Sequence, residues 1–325
     1  MTPGGPSAGA TRPRGEAWIA VAPEVAQALA DGAAVVALES TAIVHGLPWP
    51  DNLAIAQEME AAVRRAGAVP ATIAVLQGRV RVGLTPAELE RLARAPAVPK
   101  LSWRDLPIAL ARGGDGATTV AGTLAVAGRV GIRVFATGGI GGVHPGAETT
   151  FDISADLAAL ARTPCLVVCS GAKSLLDLPR TLELLESLGV PVLGYGTSEL
   201  PAFYCRTSGL PVAAQVDSPA EAAAVARAQW ALGLDGGLVL AVPVPAAAAL
   251  DEAEVRAVLA AAEERAAALG VRGPALTPFL LAELHARSGG RTLVANAALL
   301  RENAAVAGAV ACALAAGEPP AGRDQ

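Results

Sequence analysis

Aromatic residues are scarce in this sequence. They make up 3% of the 325 residues, whereas 53% of the chain is hydrophobic, mostly alanine, valine and leucine. A core of small aliphatic side chains is typical of helices packed on a sheet. The length is sufficient for one large core or two smaller ones.

Uninterrupted apolar runs of membrane-spanning length are also missing, although the mean hydropathy is high at +0.45. Glycine, proline or a charged residue interrupts each run well before the roughly 18 residues that a span needs. The first residues, MTPGGPSAGATRPRGEAW, contain no apolar segment of a secretory signal. We therefore expect a cytoplasmic protein with no membrane partner, in which residues 1–16 are a disordered leader and residues 317–325 a flexible tail.

An excess of positive charge is absent, since the formal net charge is −5 and no basic stripe occurs. Nucleic acid is therefore not expected as a partner, because its binding depends on clustered positive charge. Cysteine is limited to four residues, two of them in the apolar run CLVVC. Their tight alternation with valine is unlike a metal site and favours buried free thiols in a reducing compartment.

Lysine is almost missing. Of the 25 lysine and arginine residues, only Lys100 and Lys173 are lysines. Arginine neither gives up its proton nor forms an imine, whereas lysine does both. A chain that otherwise uses arginine for positive charge but keeps lysine at two positions suggests a chemical role for them. Chance retention on the surface is the alternative.

Short apolar runs alternate with amphipathic stretches along the chain. Strands are predicted at residues 35–38, 72–76, 79–82, 133–136, 166–169, 191–194 and 238–242. Helix starts are predicted at capping signals that include Thr85, Ser218 and Thr277. The runs on either side of residues 77–78 predict a hairpin. We predict an α/β fold, a three-layer α/β/α sandwich with a mixed, largely parallel sheet, as one catalytic domain over residues 17–316.

Two polar side chains follow predicted strands, where ligands of such sheets gather. Glu39 ends the first strand in ALESTAIVHG and suits a general acid or base, with a helix cap or salt bridge as the alternative. Lys173 follows the strand at 166–169 and a run of small residues. Desolvation there disfavours the ammonium and produces an imine-forming amine, unless the side chain snorkels to solvent.

The segment ATGGIGGVHPGAETTFDISADL combines a glycine-rich loop with acidic residues. The glycines let backbone N–H groups approach an anion, although the spacing fits neither the dinucleotide fingerprint nor the P-loop. Glu148, Asp152 and Asp156 follow, and on a helix the last two would share one face. Carboxylates and water suit Mg²⁺ or Mn²⁺. A plain tight loop and acids at a helix N-terminus are the alternatives.

A phosphate site is the third possibility that the residues offer. Lys100, in PKLSWRDLP, together with the hydroxyls of Thr118 and Thr119 at the start of a helix, would bind a phosphate group. Asn296, in VANAAL, is a further polar candidate within an apolar run.

Read together, these segments resemble pseudouridine-5′-phosphate glycosidases over roughly residues 24–310, in that family's order and spacing. The matching segments are ALESTAIVHGLPWPDN, GAVPATIAVLQGRVRVGL, DGATTVAGT, FATGGIGGVHPGAETTFDISADL, CSGAKSLLDLP, VPVLGYGTSELPAFY and LTPFLLAEL. Several long blocks in order are far more specific than any single motif. The chain departs from the family at Val242, Trp103 and Pro145, which affects details of the substrate loops.

The resemblance implies reversible conversion of pseudouridine 5′-phosphate to uracil and ribose 5-phosphate, with one Mn²⁺ per subunit and a homotrimer. It implies that Lys173 is the covalent nucleophile, Glu39 the proton donor and Asp152 the metal-site carboxylate. The substrate-binding positions that it implies are Lys100, Thr119, Val120, His144, Ser154, Ala155, Asp156 and Asn296.

The lysine, the glutamate and the metal that the resemblance implies suit the cleavage of a C–C glycosidic bond. A common glycosidase breaks a C–O bond with two carboxylates, whereas here the leaving uracil must be protonated at carbon. A lysine bonded to C1′ of an opened ribose would meet the electron demand, Glu39 would move the proton, and the metal would act through electrostatics and bound water. Two other functions stay open: a lysine-dependent phosphosugar aldolase or lyase on another substrate, and a phosphosugar-binding protein without turnover.

Overall fold

The computed structural model describes residues 18–95, 97–271 and 276–317, so the predicted leader and nearly all of the predicted tail lie outside the described residues. An 11-stranded sheet forms the centre of the fold. Its strands are β1 (Ile19–Val21), β2 (Val35–Leu38), β3 (Val69–Leu76), β4 (Arg79–Val82), β5 (Lys100–Leu101), β6 (Gly116–Thr118), β7 (Val134–Ala136), β8 (Leu166–Cys169), β9 (Val192–Tyr195), β10 (Ala214–Val216) and β11 (Leu238–Ala241).

The strands follow the order β1-β4-β3-β2-β7-β8-β11-β9-β10, with β6 beside β3 and β5 beside β6. The β3–β4 and β3–β6 pairs are antiparallel, and the remaining pairs are parallel. The antiparallel β3–β4 pair is the predicted hairpin. The prediction of a mixed, largely parallel sheet is therefore confirmed.

Helices connect the strands. They are α1 (Pro23–Ala30), α2 (Thr41–Gly46), α3 (Asp51–Arg65), α4 (Pro86–Arg94), α5 (Leu106–Arg112), α6 (Val120–Val130), α7 (Ala147–Thr150), α8 (Ala155–Leu160), α9 (Leu178–Ser187), α10 (Pro219–Ala231), α11 (Glu252–Ala268), α12 (Leu276–Arg287) and α13 (Arg291–Ala315), with a 3₁₀ turn at Ala246–Ala248.

The two faces of β2 show how the layers form. Val35 and Ala37 point to one core cluster, which contains Leu124 of α6. Val36 and Leu38 point to a second cluster, which contains residues of α3, α10 and α13 such as Leu299. Because successive side chains of a strand point to opposite faces, each cluster covers one face of the sheet. The predicted α/β/α sandwich is confirmed, while the single-domain boundaries stay a prediction.

The apolar runs in the sequence predicted the bounds of the longer strands closely. The bounds of β2, β4 and β8 are those predicted, and those of β7, β9 and β11 differ by one residue. The strand β3 starts at residue 69 instead of 72 because its first residues pair with β2. The sequence prediction missed β1, β5, β6 and β10, which have two or three residues each and show no clear alternation.

Two capping signals have different outcomes. Thr85 forms the predicted capping box, since its hydroxyl accepts from Glu88 N at 3.2 Å and the Glu88 carboxylate accepts from Thr85 N at 2.9 Å. Ser218 caps α10, but the Glu221 carboxylate accepts from Asp217 N instead of Ser218 N. The third signal was Thr277, and α12 begins one residue earlier, beside residues 272–275, which lie outside the described part of the chain.

The helix α13 is long and apolar enough to cross a membrane by length and composition, with a mean hydropathy of 1.4 over its most apolar window. Half of that window is buried inside the protein. The helix packs closely on α3, where a Cβ on Gly308 would lie 2.6 Å from that of Ala66. It also carries two consecutive charged residues, Arg301 and Glu302, near its middle, and Arg301 forms an ion pair with Glu58 of α3. These contacts make α13 a packing helix of the second layer.

The four cysteines are free thiols, as predicted. Cys165, Cys169 and Cys205 are buried, and Cys312 is half-buried. Burial raises the pKa of Cys165 and of Cys169 to about 12, so both thiols stay protonated and unreactive.

Candidate active site

Glu39, Thr137 and Lys173 meet at the carboxyl edge of the sheet. They follow β2, β7 and β8, which are neighbours in the sheet and run parallel. Parallel strands bring their carboxyl ends to the same edge, where ligands of α/β sheets bind. The sheet therefore places Glu39 and Lys173 on either side of the loop that follows β7.

Glu39 is a buried carboxyl group, with 5% of its surface exposed. The Thr137 hydroxyl donates a hydrogen bond to its Oε1. Burial raises the pKa of Glu39, and the negative charge of Asp156 acts in the same direction. The charges of Lys173 and Lys100 and the Thr137 hydrogen bond oppose this rise without cancelling it. The carboxyl group thus tends to hold a proton that it can donate.

Backbone hydrogen bonds hold Lys173 against the glycine-rich loop. Its N–H donates to Ile140 O at 3.1 Å, and Ile140 N–H donates to Gly171 O at 3.1 Å. Gly171 has φ +83°, and a Cβ there would lie 2.1 Å from Pro201 O, so a larger residue would displace the loop. The half-buried side chain of Lys173 lines two adjoining cavities.

Lys100 approaches the same centre from the short strand β5. The residue is exposed overall, but it lines both cavities. Desolvation and the nearby charge of Lys173 lower the pKa of Lys100, whereas Glu39 raises it.

His45 lies next to Lys100 and makes a 2.9 Å hydrogen bond between Nε2 and Val98 O. Desolvation and the charge of Lys100 lower the pKa of His45, which favours its neutral form.

The two cavities share Glu39, Thr41, Lys100 and Lys173. The first has a volume of about 130 Å³, and its other polar lining residues are His45, Ser174, Tyr204, His285, Thr292 and Asn296. The second has a volume of about 420 Å³, and its other residues include Ser102, Arg104, Thr119, His144, Asp152, Ser154, Ala155 and Asp156. A ligand that spans both cavities would pass Glu39 and Lys173 at its middle.

Asp156 ties the glycine-rich loop to α6. It is buried, and its Oδ1 accepts from Ala121 N at 2.9 Å while its Oδ2 accepts from Gly141 N at 2.8 Å. Both carboxylate oxygens are therefore engaged by the backbone. The expectation that Asp152 and Asp156 share one helix face is wrong, because α8 begins only at Ala155.

The expected acidic cluster does not assemble either. The Glu148 carboxylate pairs with Arg180 at 2.8 Å on the surface. Asp152 is exposed and lines the second cavity. Within the described ranges, no group of three or more histidine, cysteine, aspartate or glutamate side chains could hold a metal ion. A single carboxylate completed by water still fits a hard cation such as Mg²⁺ or Mn²⁺, which keeps several of its water ligands.

Helix N-termini line the second cavity. Thr119 caps α6 by accepting from Gly122 N at 3.3 Å, and Ser154 caps α8 by accepting from Asp156 N at 3.2 Å. The side chain of Val120 is buried in the core, so this residue has only backbone groups to offer a ligand. Of the predicted substrate-binding residues, Asn296 lines the first cavity, whereas Val120 lines neither.

The sequence prediction missed several residues in or next to the cavities. Thr137 holds Glu39, Thr41 lines both cavities, and Tyr204 lines the first. Thr137 could have been found, because it follows a predicted strand directly. Tyr204 is brought to the site by a loop after β9, and no local signal points to it.

A buried carboxyl group, a half-buried lysine and a glycine-rich loop thus meet at the carboxyl edge of a largely parallel sheet, where α/β enzymes bind their ligands. The family model described as "Indigoidine synthase A like protein" matches residues 24–313. The chain belongs to this family, and the relatives described next, which are named as glycosidases, show that it is an enzyme.

Two relatives show how similar the sequences are. The pseudouridine-5′-phosphate glycosidase of Rhodospirillum centenum is 60% identical over 298 residues, covering 92% of this chain and 93% of that protein. The pseudouridine-5′-phosphate glycosidase of Herpetosiphon aurantiacus is 56% identical over 294 residues, covering 90% of this chain and 97% of that protein. The resemblance seen in the sequence is thereby confirmed.

Two solved structures share the fold, and each match covers 92% of this chain and 97% of the other. The prealnumycin C-glycosynthase AlnA, in complex with ribulose 5-phosphate, is 45% identical with a TM-score of 0.86. An indigoidine synthase A-like protein of Thermotoga maritima is 36% identical with a TM-score of 0.83. The two relatives are thus named as glycosidases of pseudouridine 5′-phosphate, and AlnA is named as a C-glycosynthase.

Proposed function

We propose that this protein reversibly cleaves the C–C glycosidic bond of pseudouridine 5′-phosphate to give uracil and ribose 5-phosphate. The observation that carries the proposal is the placement of Glu39 and Lys173 at one carboxyl edge, between two cavities that both residues line. A substrate with a base at one end and a phosphate at the other suits two cavities that meet at the reacting groups.

Lys173 forms the covalent bond in this mechanism. Its amine bonds to C1′ while the C1′–O4′ bond breaks, and the proton that the nitrogen then loses passes to O4′, which opens the ribose ring and leaves a lone pair on the nitrogen. The nitrogen lone pair then forms a C=N bond to C1′ as the C–C bond to uracil breaks. Water hydrolyses the resulting iminium and releases ribose 5-phosphate and the free amine.

Glu39 moves the proton. In the cleavage direction the carboxyl group donates a proton to the uracil carbon as the C–C bond breaks, and in the reverse direction the carboxylate removes it. Its raised pKa supports the first role, because the protonated form persists to a higher pH than in an ordinary glutamate. The Thr137 hydrogen bond to Oε1 leaves Oε2 as the oxygen available to the substrate.

The second cavity is the proposed phosphate and ribose site. Lys100 supplies a positive charge, and Val120 and Ala155, the first residues of α6 and α8, supply the backbone N–H groups that neither the caps nor Asp156 engage. The side chains of Thr119, Ser154 and His144 line the same cavity. Asp156, which lines this cavity, and Asn296, in the first cavity, are the remaining proposed substrate contacts.

Asp152 is the proposed ligand of one Mn²⁺ per subunit, with water completing the coordination. The ion would supply electrostatic stabilisation and acidified water close to the substrate. Asp152 would hold and orient this ion, while Glu39 and Lys173 do the proton and bond chemistry. From the resemblance we also propose that the protein is cytoplasmic and forms a homotrimer. Light scattering on the purified protein would test the trimer.

The decisive experiment is incubation of the protein with pseudouridine 5′-phosphate and Mn²⁺, with chromatographic detection of uracil. Unphosphorylated pseudouridine is the matched control, and we expect it to be a much poorer substrate. No uracil, combined with a borohydride-trapped lysine adduct of ribose 5-phosphate, would support a phosphosugar lyase on another substrate. Binding of ribose 5-phosphate without uracil or an adduct would support a binding protein.

A further inference from the structure

Asn303 is a polar residue with no exposed surface, in the middle of α13. Its neighbours on the buried face of this helix are aliphatic, such as Leu299 and Ala307. Burying an amide among aliphatic side chains costs free energy unless its polar atoms find partners. The partners of Asn303 therefore show what its position accomplishes.

One side of the amide binds the loop that holds Glu39. Asn303 Nδ2 donates to Thr137 O at 2.8 Å and lies 3.4 Å from Gly138 O. Thr137 is the residue whose hydroxyl donates to Glu39 Oε1. The backbone of Thr137 is thus held by α13 while its side chain holds the acid.

The other side of the amide binds the segment that leads to Lys173. The Ser170 hydroxyl lies 3.3 Å from Asn303 Oδ1 and 3.2 Å from its Nδ2. Ser170 begins the turn that ends at Lys173, and its N–H donates to Gly138 O at 2.9 Å. One buried side chain therefore contacts both segments at the point where they leave the sheet.

We propose that Asn303 is a positioning residue that sets the placement of Glu39 relative to Lys173. The inference rests on the proposed function, because it concerns the step that uses both groups. A leucine of similar size would fill the same space in this aliphatic layer, but it could bind neither Thr137 O nor the Ser170 hydroxyl. Small displacements of reacting groups cost rate far more than they cost substrate binding.

The test compares Asn303→Leu and Asn303→Asp with the wild type, with pseudouridine 5′-phosphate as substrate. We expect kcat to fall about 10- to 100-fold with KM within about threefold, because the reacting groups are misplaced while the binding surfaces persist. Asn303→Asp keeps the size of the side chain and removes its N–H donors, so it provides a second variant if the leucine variant folds poorly.

Val310→Ala is the matched control, since Val310 is fully buried on the same helix and does not contact the site. It should lower Tm without changing kcat by more than about twofold. Thr137→Val tests whether Asn303 acts on Glu39 through Thr137. If it does, Asn303→Leu should reduce kcat less in the Thr137→Val variant than in the wild type.

Two results would overturn the inference while leaving the function intact: a wild-type kcat in both Asn303 variants, or effects of Thr137→Val and Asn303→Leu that multiply independently. A third would be a fall in kcat that Val310→Ala reproduces at equal loss of Tm. A wild-type protein that releases no uracil would overturn the proposed function and this inference together.

Discussion

The hydroxyl of Thr137 donates a hydrogen bond to the buried carboxyl group of Glu39, although 98 residues separate them in the sequence. The bond joins the ends of β2 and β7, which are adjacent in the sheet. It engages one carboxyl oxygen, and in the proposed mechanism the other oxygen transfers the proton. The acid is thereby oriented by the same loop that binds the backbone of Lys173.

Glu39→Gln should abolish proton transfer while keeping the fold. The amide keeps an oxygen that can accept from Thr137 but has no acidic proton, so kcat should fall about 10²- to 10⁴-fold. The pH–rate profile of the wild type should lose cleavage activity on the alkaline side as Glu39 ionises, at a pH above the usual range for glutamate. Full turnover by the glutamine variant would remove Glu39 from the mechanism.

The same variant should change stability in a defined direction. Because the pKa of Glu39 is raised in the folded state, the native protein binds more protons than the unfolded chain between the unfolded and folded pKa values. The protonated Glu39 therefore contributes fully to the free energy of unfolding at low pH. This contribution is lost as the pH rises from the unfolded pKa through the folded pKa of Glu39. Thermal unfolding should therefore show Glu39→Gln gaining Tm over the wild type at pH 8 and little at pH 4.

Lys173→Arg should bind substrate yet lose essentially all turnover, because it keeps the charge but removes an attackable amine. Lys173→Ala should be equally inactive. In the wild type, borohydride reduction in the presence of ribose 5-phosphate should add the sugar to the peptide containing SGAKSLLDLP, as seen by mass spectrometry.

The other lysine of the chain is the internal control for this experiment. A trapped sugar on Lys100 instead of Lys173, or substantial turnover by Lys173→Arg, would show that the nucleophile is assigned to the wrong residue. Lys100→Arg should still allow trapping on Lys173.

Lys100→Ala should mainly raise KM. Loss of one charge-assisted contact to the phosphate costs about 1.5–3 kcal/mol, which corresponds to about a 10- to 150-fold increase. Steady-state kinetics with the phosphorylated and unphosphorylated nucleosides check this, because the residual use of pseudouridine should change little. An unchanged KM for the phosphorylated substrate would place the phosphate elsewhere.

The pKa of His45 provides a test of the position of Lys100 that needs no substrate. The charge of Lys100 is one cause of the lowered pKa of His45. Lys100→Ala should therefore raise the pKa of His45, measured by an NMR titration of a chain with three histidines. A pKa that does not move would mean that the two side chains are not neighbours in solution.

Chelation with EDTA should abolish activity, and Mn²⁺ should restore it. Asp152→Asn should raise the Mn²⁺ concentration needed for half-maximal activity, because the amide lacks the carboxylate charge that attracts the ion. Glu148→Gln is the control, since this carboxylate pairs with Arg180 on the surface. Full activity after exhaustive chelation, or equal effects of the two variants, would contradict the assignment of Asp152.

The candidate site was partly visible in the sequence. Glu39 and Lys173 each follow an apolar strand, and strand ends are local features that a short window of residues determines. The resemblance to a family then indicated roles for them. The acidic positions were predicted less well: Glu148 pairs with Arg180, and Asp156 binds two backbone N–H groups. The spacing of three carboxylates in a sequence does not reveal which of them find other partners.

The amino-acid sequence by itself determined the longer strands, the small aliphatic core and the chemistry that its two lysines can perform, because these depend on neighbouring residues and composition. Only the tertiary structure decided that β2, β7 and β8 lie side by side, that Thr137 holds Glu39, and that Asn303 contacts both segments from α13. These relationships join residues 98 to 166 positions apart. They arise from strand order and helix packing, which no local pattern encodes.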